Sequence, residues 1–198
     1  MADDMMGLMD RLMIDKAVVL GASSGGFIAR ELVLRYPERF VGLIQMGSPL
    51  QHKGNPLFQQ MYDTIISKFG DEVDPDFIGE FVSGLSGTKV SSWFTGMMAE
   101  ETMKVPSWVW KEYTASLLTE GIPDNLRAII VPCLIIWGGQ DGITLRSDQE
   151  EASSLISGSR LAIHEDLGHM LYWEDPEAVA EDINGFMKEI EKAGVTRP

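Results

Sequence analysis

The sequence predicts an α/β fold: a mostly parallel sheet interrupted by a helical insertion. Three observations point to it. From Ala17 a short apolar strand, a helix and a second strand follow one another, the core signature of an α/β fold. The same rhythm returns after residue 131. Between Leu50 and Val131 no strand-like apolar run appears until near the end, and short helical patterns take its place. The segments are therefore 1–49 and 132–198 for the sheet domain and 50–131 for the helical cap.

Taken in order, Met5, Leu8, Met9, Leu12 and Met13 recur at helical spacing and predict a first helix ending near Asp15. Ala17 to Leu20 is fully apolar, as in the interior of a parallel sheet. Gly25 to Arg35 reads as a helix, stopped at Tyr36-Pro37 because the residue before proline avoids helical dihedrals. Val41 to Met46 is the second strand. In the insertion, Pro56 to Phe69 has helical spacing, and Asp74-Pro75 and Ser107 each open a helix. Most aromatic residues there are expected to pack the insertion, and a minority to line a pocket against the sheet. Pro132 to Trp137 is the third strand. Ser147 to Ile156 is a helix whose Ser147 and Glu150 fit a capping box. Arg160 to His164 is the last strand, and a final helix runs from Asp175-Pro176 to about Lys192.

Composition narrows the function. Of the 198 residues 44% are hydrophobic, enough for one real core. The net charge of −14 argues against nucleic acid or an anionic membrane as partner, because both reward a basic patch. The single cysteine, Cys133, lies in an apolar strand and reads as a buried structural thiol, which agrees with a reducing compartment. No apolar run approaches the ~20 residues of a membrane span. The amphipathic, acidic N-terminus is not a secretory signal, so a cytoplasmic location is expected.

The turn Gly21-Ala22-Ser23-Ser24-Gly25-Gly26 admits two chemistries. A dinucleotide fold lays pyrophosphate over such a turn. The short-chain dehydrogenase version needs Gly-Ala-Ser-Ser-Gly-x-Gly, a ribose-reading residue after the second strand and a Tyr-x-x-x-Lys pair. Phe27 breaks the first, "GLIQMGSP" lacks the second, and no tyrosine has a lysine four residues on. The alternative is a nucleophile elbow. Gly21-x-Ser23-x-Gly25 lies between strand and helix, where small neighbours let a serine adopt a strained turn. Ser24 does not fit as nucleophile, since Ala22 would stand where the motif requires glycine. Asp141 follows the Cys133 strand and His169 follows the last strand, in the order serine, acid, base. Glu165 and Asp166 are rival acids, but Asp141 holds the strand-exit position. The pair His164 and His169 is spaced wrongly for a zinc helix, so no metal is expected. His164 reads as a structural strand residue and His52 as an exposed loop histidine.

"VVLGASSGGFIARELVLRYPERFVGLI", "PCLIIWGGQDGIT" and "LGHMLYWEDPEAVAEDINGFM" resemble the α/β-hydrolase superfamily, in its cap-bearing serine hydrolase group of esterases, enol-lactonases, carbon–carbon hydrolases and perhydrolases. The resemblance implies Ser23 as nucleophile, His169 as base and then acid, Asp141 as orienting carboxylate and the Ser24 N–H as one oxyanion donor. Ser23 stands where dehalogenases and epoxide hydrolases carry aspartate. No cofactor is implied. Against that family, the early strands and the loop giving the second oxyanion N–H are missing. Ala17 to Leu20 would then be an edge strand without cover, which invites self-association or poor solubility unless the sequence is a fragment of a longer protein or something else covers that edge. The expected activity is cleavage of a small, largely apolar ester or lactone through an acyl-enzyme. Perhydrolysis or carbon–carbon cleavage on the same triad, and a ligand receptor on the same fold, are the alternatives.

Overall fold

Four short apolar runs make the sheet, and in the computed structural model all neighbours pair in parallel in the order β1-β2-β3-β4. The strands are β1 (Ala17–Ala22), β2 (Phe40–Met46), β3 (Cys133–Gly138) and β4 (Arg160–His164). The structure describes residues 1–86, 90–119 and 125–194. Two compact units are present: Met1–Pro49 with Asn125–Pro198, and Leu50–Asp124.

In the first unit, helices α1 (Ala2–Arg11), α2 (Gly25–Arg35), α7 (Arg146–Leu155), α8 (Leu171–Glu174) and α9 (Pro176–Lys192) surround the sheet. Strand periodicity decides what each face meets. Ile44, Met46, Leu134 and Ile136 form one core with Val179, Phe186 and Ile190 of α9 and with Leu167 and Leu171. Gly42 shares that face, and a Cβ there would come within 2.6 Å of Ile190, so the missing side chain is what lets α9 sit close. The alternate residues Leu43, Gln45, Cys133 and Ile135 are also buried, which gives β2 and β3 their near-continuous apolar run. β1 lies at the edge of the sheet, with Leu20 43% exposed.

The first helix is shorter than its pattern suggests. Its buried face is Ala2, Met6 and Met9, while Met5, Leu8 and Leu12 are exposed. It stops because Met13 turns to φ +56°, and Arg39 then gathers the chain by donating to the Ile14 and Asp15 carbonyls and to the Asp10 carboxylate. The capping box expected at Ser147 is also absent. Leu145 is the N-cap, and Glu150 accepts instead from Arg146 at 3.0 Å. The last helix has the expected start, with Asp175 accepting from the Ala178 N–H ahead of Pro176 at the first turn.

The second unit is helical among its described residues: α3 (Pro56–Thr64), α4 (Pro75–Gly84), α5 (Ser92–Thr102) and α6 (Ser107–Thr119). Asn55 and Asp74 cap α3 and α4, each followed by proline at the first turn. Phe77 and Phe81 of α4 meet the Trp110 ring of α6 edge-on, at 81° and 86°. His52 is not the exposed loop residue that its position suggested. It is buried, with its ring 4.0 Å from that of Phe58.

No helix among the described residues is long and apolar enough to cross a membrane.

Candidate active site

Because the strands are parallel, their C-terminal ends open on one edge of the sheet, and the loops leaving β1, β3 and β4 carry Ser23, Asp141 and His169. Ser23 is held at φ +49°, a left-handed conformation that non-glycine residues seldom adopt and that marks a strained, over-determined turn. Its N–H donates to the Met46 carbonyl at 2.8 Å, and its own carbonyl accepts from the Gly26 N–H at 3.0 Å. The flanking glycines are steric necessities. A Cβ on Gly21 would sit 2.5 Å from the Gly25 carbonyl oxygen, and one on Gly26 would overlap Ser48. Ser24 follows as the N-cap of α2, its backbone at the head of the helix.

The strained turn aims the Ser23 hydroxyl at a histidine. Ser23 Oγ lies 2.9 Å from His169 Nε2, and His169 Nδ1 lies 2.8 Å from Asp141 Oδ2. The Asp141 and His169 side chains are 0% and 3% exposed. A buried carboxylate must be fully hydrogen-bonded to stay ionised. Asp141 achieves this within its own loop. Oδ1 accepts from the Ile143 and Thr144 N–H groups at 2.7 and 2.9 Å, and Oδ2 accepts from the Thr144 hydroxyl at 2.5 Å. Burial pushes the Asp141 carboxyl up, but the hydrogen bond and charge of His169 and the two Thr144 bonds outweigh it, leaving a net shift below the ordinary value. Thr144 in turn accepts from the Trp137 indole N–H at 3.0 Å, which fixes its own proton toward Asp141.

The histidine loop is built as tightly. Gly138 has no side chain because a Cβ would collide with the Leu167 and Gly168 carbonyls. Glu174 of α8 accepts from the Gly168 N–H at 2.9 Å, one residue before His169. The rival acids lie elsewhere: His169 Nδ1 meets Asp141, while Glu165 pairs with Arg146 at 3.0 Å. His164 is paired with Asp182. Cys133 is buried, and burial pushes its thiol up to about 12, leaving no thiolate at neutral pH. Among the described residues no group of three or more histidines, cysteines or carboxylates has the arrangement to hold a metal ion.

Thr144, Trp137 and Glu174 went unread in the sequence. The first signal for them is the Asp-x-x-Thr spacing, which makes a self-capping loop of residues 141–144. Chemically, a serine, an imidazole and a carboxylate linked in this order can deprotonate the hydroxyl as it attacks a carbonyl and return the proton to the leaving group.

Comparison with known proteins agrees with this architecture. A family model for the alpha/beta hydrolase fold matches residues 1–176. 3-Oxoadipate enol-lactonase 2 of Acinetobacter baylyi is 23% identical over 196 residues, covering 93% of this chain and 68% of the lactonase. Proline iminopeptidase of Saccharolobus solfataricus is 26% identical, covering 89% of this chain and 63% of that enzyme. The chain thus spans about two thirds of the length of these relatives. An esterase from Exiguobacterium antarcticum superposes with a TM-score of 0.83 at 21% identity, over 95% of this chain and 72% of that one, a likeness of fold. With its sheet, its strand-exit loops and a family match along most of its length, this chain belongs to the α/β-hydrolase fold family.

Proposed function

We propose that this protein is a serine hydrolase that cleaves a small, largely apolar carboxylic ester or lactone through an acyl-enzyme. The observation that carries the reading is the continuous contact from Asp141 through His169 to Ser23, at 2.8 and 2.9 Å, on three separate strand exits. The names of its relatives, a lactonase and a peptidase, add that acyl transfer is chemistry this family performs.

In this reading His169 Nε2 takes the Ser23 proton as Oγ attacks the carbonyl carbon. The carbonyl π pair moves to oxygen, and the Ser24 N–H at the head of α2 stabilises that oxyanion. Collapse expels the alkoxide, which takes the proton from His169. A water then loses its proton to His169, attacks the acyl-serine and releases the acid with Ser23 restored. Asp141 keeps its charge throughout, holds the imidazole tautomer and stabilises the imidazolium.

Intact-mass spectrometry after exposure to a fluorophosphonate tests the reading. The expected result is one phosphonyl adduct, mapped to Ser23 and absent from Ser23→Ala. An adduct on Ser24, or unchanged labelling of Ser23→Ala, refutes it.

A further inference from the structure

Beneath the Ser23 turn lies a group of buried polar side chains that the Ser23–His169–Asp141 contacts do not use. Arg30, Gln45, Ser48 and Gln149 are each 3% exposed or less. Each donates to a backbone carbonyl. Arg30 Nη2 reaches Pro49 at 2.8 Å, and Gln149 Nε2 reaches Ser48 at 2.9 Å. Ser48 Oγ reaches Gly21 at 3.2 Å, and Gln45 Nε2 reaches Gly26 at 3.5 Å. Two of these carbonyls belong to the Ser23 turn and two to the loop leaving β2. Ser48 thus ties the turn to the loop directly, Gln45 ties β2 to the turn, and Arg30 of α2 and Gln149 of α7 hold the loop at Pro49 and Ser48.

That loop passes beside the proposed base, close enough that a side chain at its first residue would meet the imidazole. It starts at Gly47, whose φ is +51° and where a Cβ would lie 3.3 Å from His169 Nδ1 and 3.5 Å from Asp141 Oδ2. Gly47 is itself pinned, its N–H donating to the Ile136 carbonyl at 2.9 Å. A shift of the loop would therefore change the space beside the imidazole.

Arg30 is the anomalous member. Its guanidinium is fully buried, Nε and Nη1 have no hydrogen-bond partner among the described residues, and it stacks 4.8 Å over the Phe27 ring. A cation buried on these terms costs folding free energy, and an apolar residue of the same length would serve packing as well. We propose that Arg30 is a positioning residue: through the Pro49 carbonyl it fixes the 47–49 loop against His169 and Asp141, and so holds the imidazole in line with Ser23. This rests on the serine-hydrolase reading above. Burial pushes the guanidinium down to about 10, opposed by the charge of Asp148, so the bond to Pro49 stays charge-assisted at neutral pH.

Arg30→Met and Arg30→Lys in the 198-residue chain test this, with three measurements: the thermal midpoint, the second-order rate of fluorophosphonate labelling, and amide exchange at Gly47. Arg30→Met is expected to keep or raise the midpoint, to slow labelling roughly tenfold, as for loss of one charge-assisted hydrogen bond, and to speed exchange at Gly47. Arg30→Lys, which can still donate to Pro49, is expected to restore most of both. Labelling and exchange unchanged in Arg30→Met overturn the proposal. So does a lowered midpoint or loss of the fold in Arg30→Met, which assigns Arg30 to packing. If the parent chain does not label at Ser23, the hydrolase reading fails on its own. Exchange at Gly47 in the Met variant still decides whether Arg30 holds the loop.

Discussion

Two histidine–aspartate pairs in this protein have the same closest approach and different surroundings. His169 and Asp141 meet at 2.8 Å, and so do His164 and Asp182. The first pair is almost wholly excluded from water, and its histidine carries Ser23 on the other nitrogen. In the second, both side chains are about a quarter exposed, and Asp182 is shared with Arg160 at 3.8 Å. The second pair links β4 to α9, a structural tie worth little where water screens it. Contact distance therefore does not mark a site. Both histidines stand at or just beyond the C-terminal end of β4, so what separates the two pairs is burial and a third partner in line.

The largest effect that sharpens this contrast is expected from removing each acid. Asp141→Asn should lower ester turnover by about 10⁴-fold, because a neutral amide favours the wrong imidazole tautomer. Asp182→Asn should leave turnover within about twofold and stability within ~1 kcal/mol, as for other partly exposed ion pairs. Comparable losses of turnover in the two variants, measured with a short-chain ester, would erase the distinction drawn between them.

A smaller effect is expected from the hydroxyl and indole that stand behind Asp141, where Asp182 has the partly exposed Arg160 instead. Thr144→Val removes the hydroxyl that donates to Asp141 and strands the Trp137 indole N–H. The cost of such an orphaned buried donor is about 1–3 kcal/mol. A fall in the thermal midpoint with turnover reduced about tenfold is expected. Turnover equal to that of the parent chain would show that the Asp141 backbone bonds suffice to hold the acid.

The same contrast explains what the sequence made legible. The strands, α2 and α9 were readable because apolar runs, proline stops and the Asp175-Pro176 start are local signals. Ser23, Asp141 and His169 were readable because the elbow needs glycines at fixed spacing and each partner stands just after a strand. Three features escaped because tertiary context overrides local pattern. The helix α5 carries apolar residues on all sides and has no buried residue, so no stripe announces it. Arg30 sits in an ordinary helix between Ala29 and Glu31, where a charge reads as solvent-facing, yet it is fully buried. His52 follows a proline-containing loop and reads as exposed, but its ring is buried beside Phe58. The Ser147 box failed because the helix starts at Arg146 with Leu145 as its N-cap, which places Ser147 inside the first turn, and Glu150 pairs with Arg146.

The smallest effect expected is on acid stability. The Asp141 carboxyl is held below its ordinary value in the folded chain, with burial opposing the His169 and Thr144 hydrogen bonds. A group shifted down by folding stabilises the native state at pH values above its unfolded pKa, about 3.9, and that contribution is lost as pH falls through the folded value. Asp141→Asn lacks the titrating group. Its midpoint should lie below that of the parent chain at pH 7, and the gap should close as pH drops below about 4. At this chain length 1 kcal/mol corresponds to about 2–4 °C, so differential scanning calorimetry between pH 7 and 2.5 can resolve it. A gap that stays constant through that range would mean that Asp141 gains nothing from its charge in the folded state, and that its buried hydrogen bonds serve orientation alone.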